Sequence, residues 1–79
     1  MTLWIENYSN KKDNAGYKVN DLQHAALLAT ASCQYGINNP CGILSENGKR
    51  YKFILKNDNG TIAANKVQIK KIASKLLNL

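Results

Sequence analysis

The chain has little with which to do acid–base chemistry. Its 79 residues hold five carboxylates and one histidine, His24. Catalysis by proton transfer needs positioned, tuned pairs of such groups, so the composition points away from an enzyme. Acidic residues are also too few for a mimic of DNA. Cysteine is scarce: Cys33 and Cys41 are the whole thiol inventory. With His24 they fall one short of the four ligands of a structural zinc site, so neither a metal nor another cofactor is expected. No apolar run approaches the ~20 residues of a membrane span, and Met1–Ile5 is followed at once by Glu6, Asn7 and Ser9 rather than by a leader's apolar core. The reading is a cytoplasmic protein with reduced thiols and no membrane partner.

What the chain does have is positive charge. Eleven Lys and Arg against five Asp and Glu give a formal net charge of +6. The excess is one-sided. Residues 1–48 hold three lysines and four carboxylates, whereas residues 49–79 hold eight cations and the lone carboxylate Asp58. Such a field attracts polyanions: nucleic acid or an acidic protein face. A hydrophobic content of 44% with 20% charged residues is ordinary for a globular chain. The length allows one domain over residues 1–79, burying only about 60% of its unfolded surface.

Along the chain, residues 1–18 read as an extension or short strand: Thr2–Tyr8 alternates loosely and Asn10–Gly16 is turn-rich. Residues 19–79 read as an α-β-β-β-α core. The first helix is expected over Asn20–Tyr35, with Asn20 as N-cap, Gln23 three residues on, Gly36 as the stop, and Leu22, Ala25, Ala26, Ala29 and Cys33 as the buried stripe, widened by Leu27 and Leu28. Asn38-Asn39-Pro40 reads as a loop. Two Asn-Gly pairs then predict successive hairpins with two-residue turns. Across Asn47-Gly48, Leu44 would face Tyr51 and Gly42 would face Phe53. Across Asn59-Gly60, Leu55 would face Ala64 and Asn57 would face Ile62. One sheet face would collect Leu44, Tyr51, Phe53, Leu55, Ile62 and Ala64, and the other Arg50, Lys52 and Lys56. A last helix is expected over Asn65–Asn78, capped by Asn65 and buried through Ile69, Ile72, Ala73 and Leu76. The fold class is therefore α+β: a three-stranded antiparallel sheet with two helices on one face, and an N-terminal strand before them.

The first turns of the last helix carry Lys66, Lys70 and Lys71 and no acid. The helix dipole disfavours cations there by about 0.3–1 kcal/mol each. Lysines at that end make sense where an anion completes the site.

The layout resembles a double-stranded-RNA-binding domain over about residues 20–79. Gln34–Phe53 (QYGINNPCGILSENGKRYKF) is similar to the family's passage from first helix through a proline loop into strand, glycine turn and strand, with Pro40, Gly48 and Phe53 in matching places. Asn65–Leu77 (NKVQIKKIASKLL) resembles the family's Lys-headed final helix, with Lys66 and Lys70 on its first and last lysines and Val67 in place of the middle one. The resemblance implies duplex RNA bound by shape, without sequence readout. It places Lys66, Lys70 and Lys71 on phosphates, Asn20, Gln23 and His24 on 2′-hydroxyls, and Lys49 and Arg50 at a second groove.

A second expectation is a protein partner. Small basic chains rich in Asn, Lys and Ile resemble phage and mobile-element products, including anti-CRISPR inhibitors that dock on host protein–RNA complexes. There Arg50, Lys52 and Lys56 would meet an acidic face, and Trp4, Tyr8 and Tyr17 would be anchors.

Overall fold

The first strand, β1 (Thr2–Asn7), alternates in burial: Leu3 and Ile5 point into the core, while Thr2, Trp4 and Glu6 do not. That period of two lets one strand face apolar side chains inward and polar ones outward. The computed structural model describes residues 1–31 and 42–77. Within them β1 is followed by a 3-10 turn (Lys11–Asp13), β2 (Ala15–Lys18), α1 (Leu22–Ala31), a 3-10 turn (Glu46–Arg50), β3 (Tyr51–Lys56), β4 (Ile62–Ala64) and α2 (Lys66–Leu76). The strands form one antiparallel sheet in the order β2-β1-β3-β4. The hairpin-then-helix unit thus occurs twice, and the two units meet through β1 and β3. Because the strands that lead into the helices run in opposite directions, α1 and α2 are antiparallel and start at opposite ends of the sheet.

Both helices cover the same face. Ala25, Ala26 and Ala29 of α1 and Ile69 and Ala73 of α2 join Leu3, Ile5, Tyr51, Phe53, Leu55 and Ala64 in one core. The alanines leave room for the helices to approach each other closely. Phe53, Leu3, Leu55, Ile69 and Ile43 are the largest fully buried side chains, each contributing about 1.5–3 kcal/mol by leaving water. The cap of α2 is as expected: Asn65 Oδ1 accepts from Gln68 N at 3.0 Å, and Gln68 Oε1 accepts from Asn65 N at 2.9 Å.

The α+β class, the antiparallel sheet, the two helices on one face and the N-terminal strand agree with the sequence reading. The strand details differ. The stretch before Asn47-Gly48 is not a strand, and no hairpin forms there. Ser45 caps a 3-10 turn instead: its Oγ and its carbonyl both accept from Gly48 N, at 3.2 and 3.0 Å. Gly48 is a close-packed glycine rather than a turn glycine; a Cβ on it would lie 2.5 Å from Gly42 O. Gly42 in turn packs directly against the Thr30 carbonyl at the end of α1. The place beside β3 goes to β1, which offers six paired residues, Thr2↔Lys56 through Asn7↔Tyr51. Leu44 is consequently half-buried outside the sheet. The N-terminal stretch expected as an extension or short strand supplies one of the two central strands, and Ala15–Lys18 supplies an edge.

The second hairpin forms with a three-residue loop. Gly60 N donates to Asn57 O at 2.9 Å and Asn57 N donates to Thr61 O at 2.8 Å, with Gly60 at φ +87°. The extra loop residue pairs Ile62 with Lys56 rather than Asn57, and a bulge restores the expected Leu55↔Ala64 pair. Ile62 is thereby turned out of the core and is 63% exposed.

Helix α1 starts one residue later than expected. Asp21, not Asn20, holds its first turn, accepting from His24 N at 2.8 Å. Leu27 is exposed, and Leu22 and Leu28 are half-buried against the core. In α2, Ile72 is half-buried and Leu76 exposed. Cys33, the helix residues up to Tyr35, Gly36, the Asn38-Asn39-Pro40 loop and Cys41 lie outside the described residues, as does Asn78.

Candidate functional site

The helices cover one face of the sheet; among the described residues no element covers the other. Strand alternation decides what that open face carries. On β1 it is Thr2, Trp4 and Glu6; on β3 it is Lys52, Ile54 and Lys56. On β2 it is Gly16 and Lys18, and on β4 Ile62. Pairing across the sheet sets these side by side. Thr2 stands between Lys18 and Lys56, Trp4 between Gly16 and Ile54, and Glu6 opposite Lys52. One step beyond the ladder, Tyr8 N donates to Arg50 O at 3.0 Å, so the backbones of Tyr8 and Arg50 stay joined at this end of the sheet. Both are exposed. Lys18, Lys52 and Lys56 thus stand on this face with Glu6, Asp58 lies close enough to Lys18 to feel its charge, and Trp4 is near the middle. Of the residues that the sequence expectation grouped, Lys52, Lys56 and Trp4 share this face, and Arg50 and Tyr8 lie exposed just beyond its end. Lys18 and Ile62 were missed, because β2 and the bulge were. Tyr17 does not belong: it faces Leu3 and packs half-buried against the core.

Trp4 is held in place. A Cβ on Gly16 would meet its Cε3 at 3.1 Å and its Cζ3 at 3.3 Å, so the indole lies against the bare backbone of β2. Its Nε1–H donates to Glu6 Oε1 at 2.6 Å. At the far end of β3, the Met1 amino group lies 3.0 Å from Asp58 Oδ1. That ion pair, with a smaller contribution from Lys18, holds the Asp58 carboxyl below the usual carboxylate range.

The residues that the duplex-RNA resemblance selects are divided. Asn20, Gln23 and His24 are exposed at the start of α1, at the end of the sheet where β2 finishes. The His24 ring serves the local turn, its Nδ1 accepting from Asn20 N at 3.1 Å. Lys49 and Arg50 lie at the opposite end, ahead of β3; Lys49 Nζ pairs with Glu46 Oε2 at 3.0 Å, both exposed. Lys70 and Lys71 lie on the outer face of α2, where with Val67, Ser74 and Lys75 they border a shallow open depression.

Lys66 does not join them. Its ammonium donates to Gly48 O at 2.9 Å and Tyr51 O at 2.7 Å, and it stands 5.7 Å from the centre of the Phe53 ring. Burial, and secondarily the charge of Lys70, lowers its pKa. A lysine in the first turn of α2 is therefore explained by the fold: it satisfies carbonyls at the end of the preceding 3-10 turn and the start of β3. The capping box meanwhile occupies the Gln68 N–H that an anion at the helix start would want.

No helix among the described residues is long and apolar enough to cross a membrane. No family model, no curated protein and no solved structure matches this chain.

Proposed function

We propose that the protein is a small cytoplasmic nucleic-acid-binding module that engages backbone phosphates through the open face of its sheet, without reading base sequence. The observation that supports this most is Lys18, Lys52 and Lys56 standing on the sheet face that no described element covers, with Arg50 exposed just ahead of β3, against Glu6 on the face and Asp58 at the Lys18 end. Flexible cations on an exposed surface suit phosphates, which need charge and no fixed base geometry. The duplex-RNA set draws less support from the geometry, since its members sit at two ends of the helical layer and Lys66 is engaged within the fold.

The test is anisotropy titration of labelled oligonucleotides, both single strands and duplexes of RNA and DNA, across a salt series. Affinity should fall steeply from about 50 to about 200 mM salt. Replacing Lys18, Lys52 and Lys56 together with Ser should flatten the log–log salt slope by about 2, close to 0.7–0.9 for each phosphate no longer neutralised. The triple change Lys70→Ser, Lys71→Ser, Lys75→Ser should leave it nearly unchanged. The reverse pattern would move the site to α2, and no affinity for any oligonucleotide would end the proposal.

Trp4 on this face and exposed Tyr8 just beyond the end of β1 favour one second reading, an inhibitor or adaptor that docks on an acidic protein surface, as phage and mobile-element products do. A stoichiometric protein partner that survives nuclease treatment, together with no oligonucleotide binding, is its signature.

A further inference from the structure

The open face carries more than charge, and its geometry selects among nucleic acids. Trp4 stands near the centre of the four-stranded sheet. The bare backbone of Gly16 supports one part of its indole, and the bond to Glu6 Oε1 fixes its rotation. A ring held in this way loses little freedom on binding, which is what a stacking platform needs. Cations stand on both sides of it: Lys18 and Lys56 flank Thr2 on one side, and on the other Lys52 pairs opposite Glu6 with Arg50 exposed just ahead of β3. A second ring, Tyr8, follows one residue after the end of β1 and is 61% exposed.

We infer that this face binds single-stranded nucleic acid, a base stacking on Trp4 while the phosphates on either side of it meet Lys18 and Lys56 at one end and Lys52 and Arg50 at the other. This rests on the proposed nucleic-acid-binding function and narrows it. In a duplex each base face is already stacked on its neighbours, so a flat platform finds only the backbone. In a single strand the base faces are free, and a fixed aromatic ring with flanking cations is suited to them whatever the sequence. Gly16 has its place in the same terms: any Cβ there would press on the ring from below and tilt it.

Trp4 is the one tryptophan of the chain, so its emission reports on the site directly. The unmodified protein is titrated with single-stranded RNA and DNA of about 12 nucleotides, within the site sizes such surfaces cover, and with the matched duplexes. Saturable quenching by single strands, and affinity at least roughly tenfold above that for duplexes, is expected; RNA and DNA arms show whether the sugar matters. Trp4→Phe should keep most of the affinity and Trp4→Leu should lose roughly tenfold to a hundredfold, by the usual effect of removing one stacking ring. Circular dichroism melts check that both variants fold, and the quenching result stands without them. Single strands bound with unchanged emission, or duplexes bound as tightly as single strands, would overturn the stacking inference and leave the phosphate-binding reading in place. No binding of any oligonucleotide would overturn both.

Discussion

Lys66 shows how a residue's surroundings decide its meaning. In the sequence it is a cation at the wrong end of a helix dipole. In the structure it ties α2 to β3 and to the 3-10 turn before it through two carbonyls. Hydrogen bonds from a charged donor contribute about 1.5–3 kcal/mol in favourable settings. For this partly exposed side chain, Lys66→Met should cost about 1–2 kcal/mol in urea unfolding, at the lower part of that range, while leaving oligonucleotide affinity within about twofold, less than the tenfold that corresponds to 1.4 kcal/mol. The same residue has a pH signature. Its pKa is lowered in the folded state, first by burial and then by Lys70. Between the folded and unfolded values the unfolded chain binds more protons, so this group's contribution to stability rises as pH climbs through that interval. The neutral amine keeps donors for both carbonyls. An NMR titration of the lysine Cε resonances should show Lys66 losing its proton below the ordinary lysine value; titration at or above that value would contradict its placement.

Two glycines separate two kinds of constraint at the scale of elements. Gly60 has a positive φ and nothing within 4 Å of the position of a Cβ, so Gly60→Ala should cost only backbone strain, about 1–2 kcal/mol. Gly48 is crowded by the Gly42 carbonyl and by Ile43, so Gly48→Ala forces packed backbone apart and should cost about 1–3 kcal/mol, or more where nothing yields. Thermal melts of the two variants should also differ in kind: Gly60→Asn should recover part of the loss at the turn, since Asn tolerates that backbone region, and Gly48→Asn should recover none. The two sites explain what was legible in advance. Asn59-Gly60 and the Asn65 cap are local signals, complete within five residues: the cap reads correctly, and the hairpin forms where expected though with a loop one residue longer. Asn47-Gly48 carries the same local signal and loses to a competitor at a distance: Ser45 offers a cap, and β1 offers β3 a longer apolar partner. The sequence shows β1 as an alternating stretch but not which strand it joins, because pairing across most of the chain leaves no local mark. Lys52 and Lys56 were therefore legible as one face of a strand, while the place of Trp4 beside them waited on the pairing of β1, and Lys18 on a strand that composition hid.

At the scale of the whole molecule, a domain of 79 residues has little stability to lose, about 0.05–0.15 kcal/mol per residue. Leu3 is fully buried in the central strand. Leu3→Ala should cost about 2–5 kcal/mol, a large share of that total, and near-UV circular dichroism at physiological temperature should show a substantial unfolded population. Ile62→Ala, exposed at the edge of the same sheet, should change the unfolding midpoint little; comparable losses at the two positions would contradict the assignment of faces. The central place of β1 has a further consequence, in time rather than energy. Its partner β3 lies more than half the chain away, and non-local pairing is slow to form. During synthesis β1 leaves the ribosome before β2 and β3. It can close on β2 early, but its other edge stays unpaired until residues 51–56 have emerged. For that interval the nascent chain presents an open strand edge bearing Leu3 and Ile5, the condition under which small sheet proteins meet chaperones or one another.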